Sequence, residues 1–316
     1  MLSRVAEGVY WMARNMERAE NNARVLEARL IHALEVSNSE AVADTDWESV
    51  VEICSSYEEY SEVYDDLLPE TVAHFVSFDK ANINSIVNCI EYARNNARSV
   101  REIIPQELWE ILNDAYLTIN NQNYSYWSMK KIYAFLQSIK TLSFTVQGAI
   151  ESSMLREEAY TFLKIGKWLE RAEKTARILN VVCEITKGED EAIQEDHYYY
   201  WLSALQFVNG HDAYLKKYPP TMESRKVLHF LISYHQFPRS IEYCIDHVRE
   251  AVKELEGGKV SHYSEDLFDT LDYMSNEFTK IKFQQMSSEE IGPFLDRFQN
   301  DCNRIGYVFS KTYYLV

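Results

Sequence analysis

"LERAEKTAR" spans Leu169–Arg177, and "MERAENNAR" spans Met16–Arg24. Both stretches are dense in charge, yet both sit inside runs whose apolar residues recur at three- and four-residue steps. Around the first copy, Val5, Val9, Met12, Met16, Ala19, Ala23, Leu26 and Leu30 keep that step, which is the spacing of one face of an α-helix. The periodicity predicts a single helix from about Leu2 to Glu35.

Sliding the chain by 153 residues superposes more than the motif. Met1-Leu2 falls on Met154-Leu155, Ala6 on Ala159, Ala23-Arg24 on Ala176-Arg177 and Leu26 on Leu179. At an offset of 154, Trp47 meets Trp201 and Tyr60 meets Tyr214. At 155, Phe75 meets Phe230, Ser85-Ile86 meets Ser240-Ile241, Cys89-Ile90 meets Cys244-Ile245 and Arg94 meets Arg249. The offset drifts by one residue at a time, where loops are expected. This order predicts a tandem duplication, with a first helical repeat over residues 1–152 and a second over 153–316. Each half is too thin a helix set to cover its own apolar faces. The expected fold is therefore all-α, an internally duplicated pseudo-twofold helical bundle packed as one body.

The rest of the chain divides in the same way. A second helix is expected after Asp44, capped by Asp44 or Thr45, with Trp47, Val50 and Val51 inward. Pro69 opens a short helix through Phe78. Asn82 or Asn84 is expected to cap the next, which buries Ile86, Ile90, Ala93, Ala97, Val100 and Ile104 and ends at Pro105; another runs over Glu107–Asn120. "NNQNYS" at Asn120–Ser125 reads as a loop before a helix over Trp127–Ser152. "KGEDEAIQEDH" (Lys187–His197) and "LEGGKVSHYSED" (Leu255–Asp266) read as linkers, the second stopping a helix at Gly257-Gly258.

Composition narrows function mostly by exclusion. The 316 residues are 46% hydrophobic, with 9 Gly and 6 Pro, which suits long helices. The 22 Tyr suit interiors and grooves where an apolar ring carries a polar tip. A net charge of −17 disfavours nucleic acid and anionic membranes as partners. The 5 Cys (Cys54, Cys89, Cys183, Cys244 and Cys302) are widely spaced with no CxxC pair, as expected of reduced thiols in the cytoplasm. No signal-peptide core fits the charged first 20 residues, and no apolar run is long enough to cross a membrane. No HExxH, GxGxxG, GxxxxGK[ST] or GxSxG pattern occurs, so no cofactor is expected.

On a helical wheel Glu17, Glu20 and Arg24 line the border of the buried stripe. Glu20–Arg24 and Glu173–Arg177 are four apart in the favourable order and can pair. Arg18 and Arg171 have no acid within reach on their own helices, so each needs a partner from another helix or from a ligand. Three readings follow. The residues can form interhelical bridges that fix register. The guanidiniums can clamp a carboxylate or phosphate. Or Glu17, Glu20, Glu170 and Glu173 can hold two metal ions, although the Glu-x-x-His of carboxylate-bridged bundles is missing; no metal is expected.

Three further features are candidates. "EYARNNARSVRE" (Glu91–Glu102) places Arg94, Arg98 and Arg101 on one predicted face, with Glu91 and Glu102 in reach of Arg94 and Arg98. "FPRS" (Phe237–Ser240) reads as a helix start in which Arg239 opposes the macrodipole and so awaits an acid or an anionic ligand. "YYYW" (Tyr198–Trp201) reads as a helix start with mixed packing, with an aromatic binding wall as the alternative.

Taken together, "MLSRVAEGVYWMARNMERAENNAR", "YARNNARSVRE", "LWEILN" (Leu108–Asn113), "FLKIGKWLERAEKTARIL" (Phe162–Leu179) and "FPRS" resemble the alpha-E helical family, in order over nearly the whole chain. Ala13 and Asn15 depart from the usual Gly and Tyr of "WMGRYLERAE". The resemblance implies an all-helical fold. It also implies a setting beside, or fused to, circularly permuted ATP-grasp amidoligase-like proteins, often with a transglutaminase-like protease, in peptide synthesis or tagging. It carries over no catalytic residue; Glu17, Arg18, Glu170 and Arg171 are its signature. The expected function is a cytoplasmic helical partner of such a ligase, whose Glu/Arg cluster binds an anionic group on a peptide or braces the scaffold. The alternative is an enzyme acting on peptide or amide substrates with Glu as general base and Arg as anion clamp.

Overall fold

The computed structural model describes residues 3–36, 47–124, 127–186, 194–257, 264–280 and 288–313. Among these, fourteen α-helices and no strand are found. They are α1 (Ser3–Val36), α2 (Trp47–Cys54), α3 (Tyr57–Ser61), α4 (Pro69–Ser77), α5 (Ile86–Ser99), α6 (Gln106–Asn120) and α7 (Met129–Ser153), followed by α8 (Glu158–Ile185), α9 (Gln194–Phe207), α10 (His211–Leu215), α11 (Ser224–Ser233), α12 (Ile241–Leu255), α13 (Glu265–Lys280) and α14 (Ser288–Tyr313). The fold is all-α, and no helix among the described residues is long and apolar enough to cross a membrane.

The chain forms two compact units, residues 11–155 and residues 1–10 with 156–316. In the first, α7 packs on α4 and α6, α5 on α4 and α6, and α2 on α3 and α4. In the second, α8 is the central element and packs on α9, α11, α12 and α14. Centrality accounts for its composition. Glu170, Arg171, Lys174 and Thr175 are buried along with most of its apolar residues, and a narrow stripe through Lys164, Lys167, Glu173, Arg177, Asn180 and Glu184 reaches solvent. Helix α12 is instead one-sided: Ile241, Cys244, Ile245, Val248, Ala251 and Val252 are buried at steps of three and four. The first turns of α1 complete this second unit. Tyr10 is 5.2 Å from Phe309 between ring centroids, and Phe309 is 5.4 Å from Phe162.

Residues aligned by the sequence offset make like contacts in each unit. Tyr60 Oη donates to the Asp66 carbonyl at 2.7 Å, and Tyr214 Oη to the Thr221 carbonyl at 2.9 Å. Tyr60 stands edge-on to Phe75 at 5.1 Å and stacks on Tyr64 at 5.2 Å; Tyr214 stands edge-on to Phe230 at 5.6 Å and stacks on Tyr218 at 4.9 Å. Tyr64 Oη meets His74 Nδ1 at 3.0 Å, and Tyr218 Oη meets His229 Nδ1 at 2.7 Å. Trp47 and Trp201 are both buried.

Several expected boundaries move. Helix α5 is capped by Ser85, whose hydroxyl accepts from Asn88 N, and not by Asn82 or Asn84. Asn82 is already spent: its Oδ1 accepts from Asn84 N and its Nδ2 donates to the Phe75 carbonyl, which forms the turn before the cap. Helix α5 also ends at Ser99 rather than at Pro105. Ser240 caps α12 by accepting from Tyr243 N, so "FPRS" lies before the helix and Arg239 is outside it. Of the expected linker Lys187–His197, residues 194–197 are already helical in α9. The caps expected at Asp44 or Thr45 lie outside the described residues. Gly257 has φ of +61° after α12, the left-handed stop its position predicts.

Candidate functional site

In the first motif, the Glu and Arg side chains lie deeper than the wheel suggests. Glu17, Glu20 and Arg24 are 2%, 1% and 8% exposed. Arg24 Nε and Nη2 reach Glu20 Oε1 at 2.8 and 2.7 Å, and Ser143 of α7 donates to Glu20 Oε2 at 2.6 Å. Two turns along α1, Glu27 takes Lys140 and Gln137, also from α7. Burial is tolerable because each carboxylate meets charged and hydroxyl or amide donors. Arg18 is half-buried and donates from Nη1 to Asn84 Oδ1 at 2.9 Å, while Asn22 Nδ2 donates to the Asn84 carbonyl at 2.8 Å. The acceptors come from the turn that leads into the Ser85 cap.

The second motif uses the corresponding turn. Arg171 donates from Nη1 to the Pro238 carbonyl at 3.4 Å, and its guanidinium lies 4.9 Å from the Trp168 ring centroid. Thr175 Oγ1 donates to the Arg239 carbonyl at 2.9 Å. In both units, then, a motif Arg and the residue four positions on hold the turn ahead of a Ser-capped helix. Glu170 and Arg171 are 3% and 7% exposed, and both have further partners in the protein. Among the described residues, the expected Glu173–Arg177 bridge does not form, and half-buried Arg177 is joined to no carboxylate. An i,i+4 pair on a helix is worth only a few tenths of a kcal/mol, and Glu173 is engaged elsewhere in the protein.

Beside Arg171, the Trp168, Tyr243 and His247 rings form a cluster, with centroids 5.4, 4.9 and 4.1 Å apart. On the same helix, Glu242 and Asp246 are half-buried. Burial raises both carboxyls above their usual values; the Asp246 charge adds to this for Glu242, while for Asp246 the pull of Arg249 opposes the rise and Glu250 adds to it.

The expected basic face of Arg94, Arg98 and Arg101 is not a single stripe, because α5 ends before Arg101. Arg94 turns to α6, donating from Nε and Nη2 to Asn113 Oδ1 at 3.2 and 3.0 Å and lying 4.8 Å from the Tyr116 ring centroid. Arg101 approaches Trp109 at 5.4 Å. Glu91 pairs with Lys80 at 2.7 Å rather than with Arg94, and Arg98 is exposed. Arg239 is buried and has partners in the protein. Among the described residues, no group of three or more His, Cys, Asp or Glu is placed to hold a metal ion.

Sequence reasoning missed one feature. The last turns of α1 and the first turns of α2, α4 and α7 line an open cavity of about 600 Å³. Its walls are Leu30, Ile31, Ala33, Trp47, Pro69, Met129 and Tyr133, with Glu70 and Lys130 also lining it. Trp47 is readable as an inward residue, but its register alone does not show that part of its surroundings stays empty.

No solved structure matches the chain. Uncharacterised proteins of Mycobacterium bovis and of two strains of Mycobacterium tuberculosis are 23% identical over 306 residues, which is 90% of this chain. The match covers 34% of each of those proteins, so the chain spans about a third of the length of the curated relatives it matches. A family model described as a predicted alpha-helical domain with a conserved ER motif matches residues 1–314, a span in which Glu-Arg occurs at Glu17-Arg18 and at Glu170-Arg171; the chain belongs to the Alpha-E family.

Proposed function

We propose that the chain is a cytoplasmic, non-catalytic helical component of an ATP-grasp amidoligase-type system for peptide synthesis or tagging, and that its Glu-Arg motifs brace the scaffold. The observation that carries the bracing role is where the motif arginines end. Arg18 meets Asn84 Oδ1 and Arg171 meets the Pro238 carbonyl, both uncharged acceptors in the turn before a capped helix. Such bonds hold a helix start in place, and each guanidinium is engaged elsewhere within the protein as well. The ligase partnership draws on the quoted family resemblance. It is in keeping with relatives in which this region is one third of a longer polypeptide.

The test is co-purification with an ATP-grasp-type protein co-expressed from the same source. The wild type is expected to co-purify, and Arg171→Ala, assayed below its lowered melting point, is expected to do so equally. Absence of a complex overturns the partnership. A folded Arg171→Ala that loses its partner or a peptide ligand overturns the brace.

A second reading, an enzyme acting on peptide or amide substrates, draws on Glu242 and Asp246. Half-buried carboxyls with raised proton affinity near an aromatic-arginine cluster are the chemistry of a general base. Glu242→Gln abolishing amide turnover, with the fold intact, would establish it.

A further inference from the structure

We propose that the cavity at the ends of α1, α2, α4 and α7 binds a small zwitterion: an apolar amino acid or short peptide bearing a free amine and a free carboxylate. The inference is independent of the bracing role and of the ligase partnership.

The volume comes first. About 600 Å³ lies within the range of sites that enclose a small organic molecule and far exceeds a packing defect. The walls come second. Leu30 and Trp47, 4% and 3% exposed, form the floor, and Ile31, Ala33, Pro69, Met129 and Tyr133 are more open and form the sides. A surface of this kind takes an aliphatic or aromatic group, with a gain of about 25 cal/mol for each Å² of apolar area removed from water.

The polar groups select the rest of the ligand. Glu70 and Lys130 line the same cavity, both are exposed, and neither makes an ion pair or side-chain hydrogen bond among the described residues. They do not pair with each other, so one carboxylate and one ammonium stand apart at a single apolar site. Tyr133 adds a hydroxyl that accepts from Gln137 Nε2 at 2.9 Å, which leaves its O–H proton for a ligand acceptor. A fatty acid would leave Glu70 unmatched, and an amine would leave Lys130 unmatched. A zwitterion with an apolar side chain meets both charges, its amine at Glu70 and its carboxylate at Lys130.

Calorimetric titration of the full chain with leucyl-phenylalanine, its N-acetyl form and its C-terminal amide tests this. The free dipeptide is expected to bind saturably, and each blocked form roughly fivefold more weakly, the scale of one solvent-screened charge contact. Glu70→Gln is expected to erase the discrimination against the N-acetyl form alone, and Lys130→Gln that against the amide alone. Ala33→Phe, which fills the cavity, is expected to abolish binding with the helical circular dichroism unchanged; Ile31→Glu, at a position 37% exposed, serves the same end should the first variant misfold. The proposal is overturned if the free dipeptide does not bind or if the blocked forms bind equally well. It is equally overturned if both charge variants keep the wild-type preference. Replacing residues 37–46, which join α1 to α2, by a Gly-Ser linker is a further arm. Unchanged affinity supports the site, whereas binding seen only after replacement overturns it.

Discussion

Arg24 holds Glu20 through two nitrogens, at 2.8 and 2.7 Å, with both side chains almost fully buried. The pair is local, one turn of one helix, but the third member is not: Ser143 Oγ reaches the other carboxylate oxygen from α7. Removing one partner leaves a desolvated charge. Arg24→Ala is therefore expected to lower the unfolding free energy by about 3–5 kcal/mol, and Ser143→Ala by about 1–2 kcal/mol. The double replacement Glu20→Leu/Arg24→Met is expected to cost less than either single change, because it removes both charges while keeping volume. Urea unfolding of the three variants checks the order; equal losses for the singles and the double would refute it.

Two helical glycines give opposite outcomes on substitution. A Cβ at Gly148 meets nothing within 4 Å, so Gly148→Ala is expected to stabilise by about 0.5–1 kcal/mol through helix propensity alone. A Cβ at Gly166 lies 2.5 Å from the Tyr10 carbonyl oxygen, a backbone atom that cannot swing aside. Gly166→Ala is expected to destabilise despite the same gain in propensity, and a melting temperature at or above the wild type's would show that α8 and the start of α1 do not approach so closely.

Stability near Glu242 and Asp246 is expected to fall as pH rises. Burial, the leading cause, raises both carboxyls above their ordinary values, so the folded state binds protons more tightly than the unfolded chain. The loss runs from the ordinary carboxylate range upward to the raised values and is complete above them. Glu242→Gln should therefore raise the unfolding free energy more at pH 7 than at pH 4. A difference of the opposite sign would mean that the folded state favours the charged form. His229 contributes in the other direction. Burial, with Lys217 behind it, lowers its proton affinity, so the folded state loses stability as pH drops through the ordinary histidine range.

All five cysteines are buried, and burial pushes the Cys183 thiol up to about 12, with Glu184 adding to the rise. Since the thiolate is the reactive form, Ellman's reagent is expected to find no fast-reacting thiol in the native protein at pH 8 and five after denaturation. Rapid labelling of Cys183 in the folded chain would contradict its enclosure.

Long periodic runs were the legible part of this sequence. The apolar step around Met16 places α1 almost to its ends, and an i,i+4 Glu and Arg on that helix do meet. Pairing on α8 fails at Glu173 and Arg177 because partnership depends on depth as well as on spacing. The caps were less legible. Asn82, Asn84 and Ser85 are all competent, and the choice falls to Ser85 only because Asn82 is held by the Phe75 carbonyl in space. Arg94 likewise finds Asn113, nineteen residues away on another helix, ahead of the acid on its own. The cavity was not legible, since it is set by Leu30, Trp47, Pro69 and Met129, residues whose convergence no single stretch records.

The position of Tyr10 has a consequence for the order of events at the ribosome. Its ring packs on Phe309, and its carbonyl lies against Gly166. Residues 11–155 have the rest of their unit in hand once the first half has been made. Residues 3–10 are made before residues 11–308 and wait for Phe309 until that whole stretch has followed them. Contacts of such large sequence separation are slow to form. Until Phe309 is made, Tyr10 lacks part of its packing, so a chain stalled before that point presents to chaperones and proteases a different molecule from the finished one.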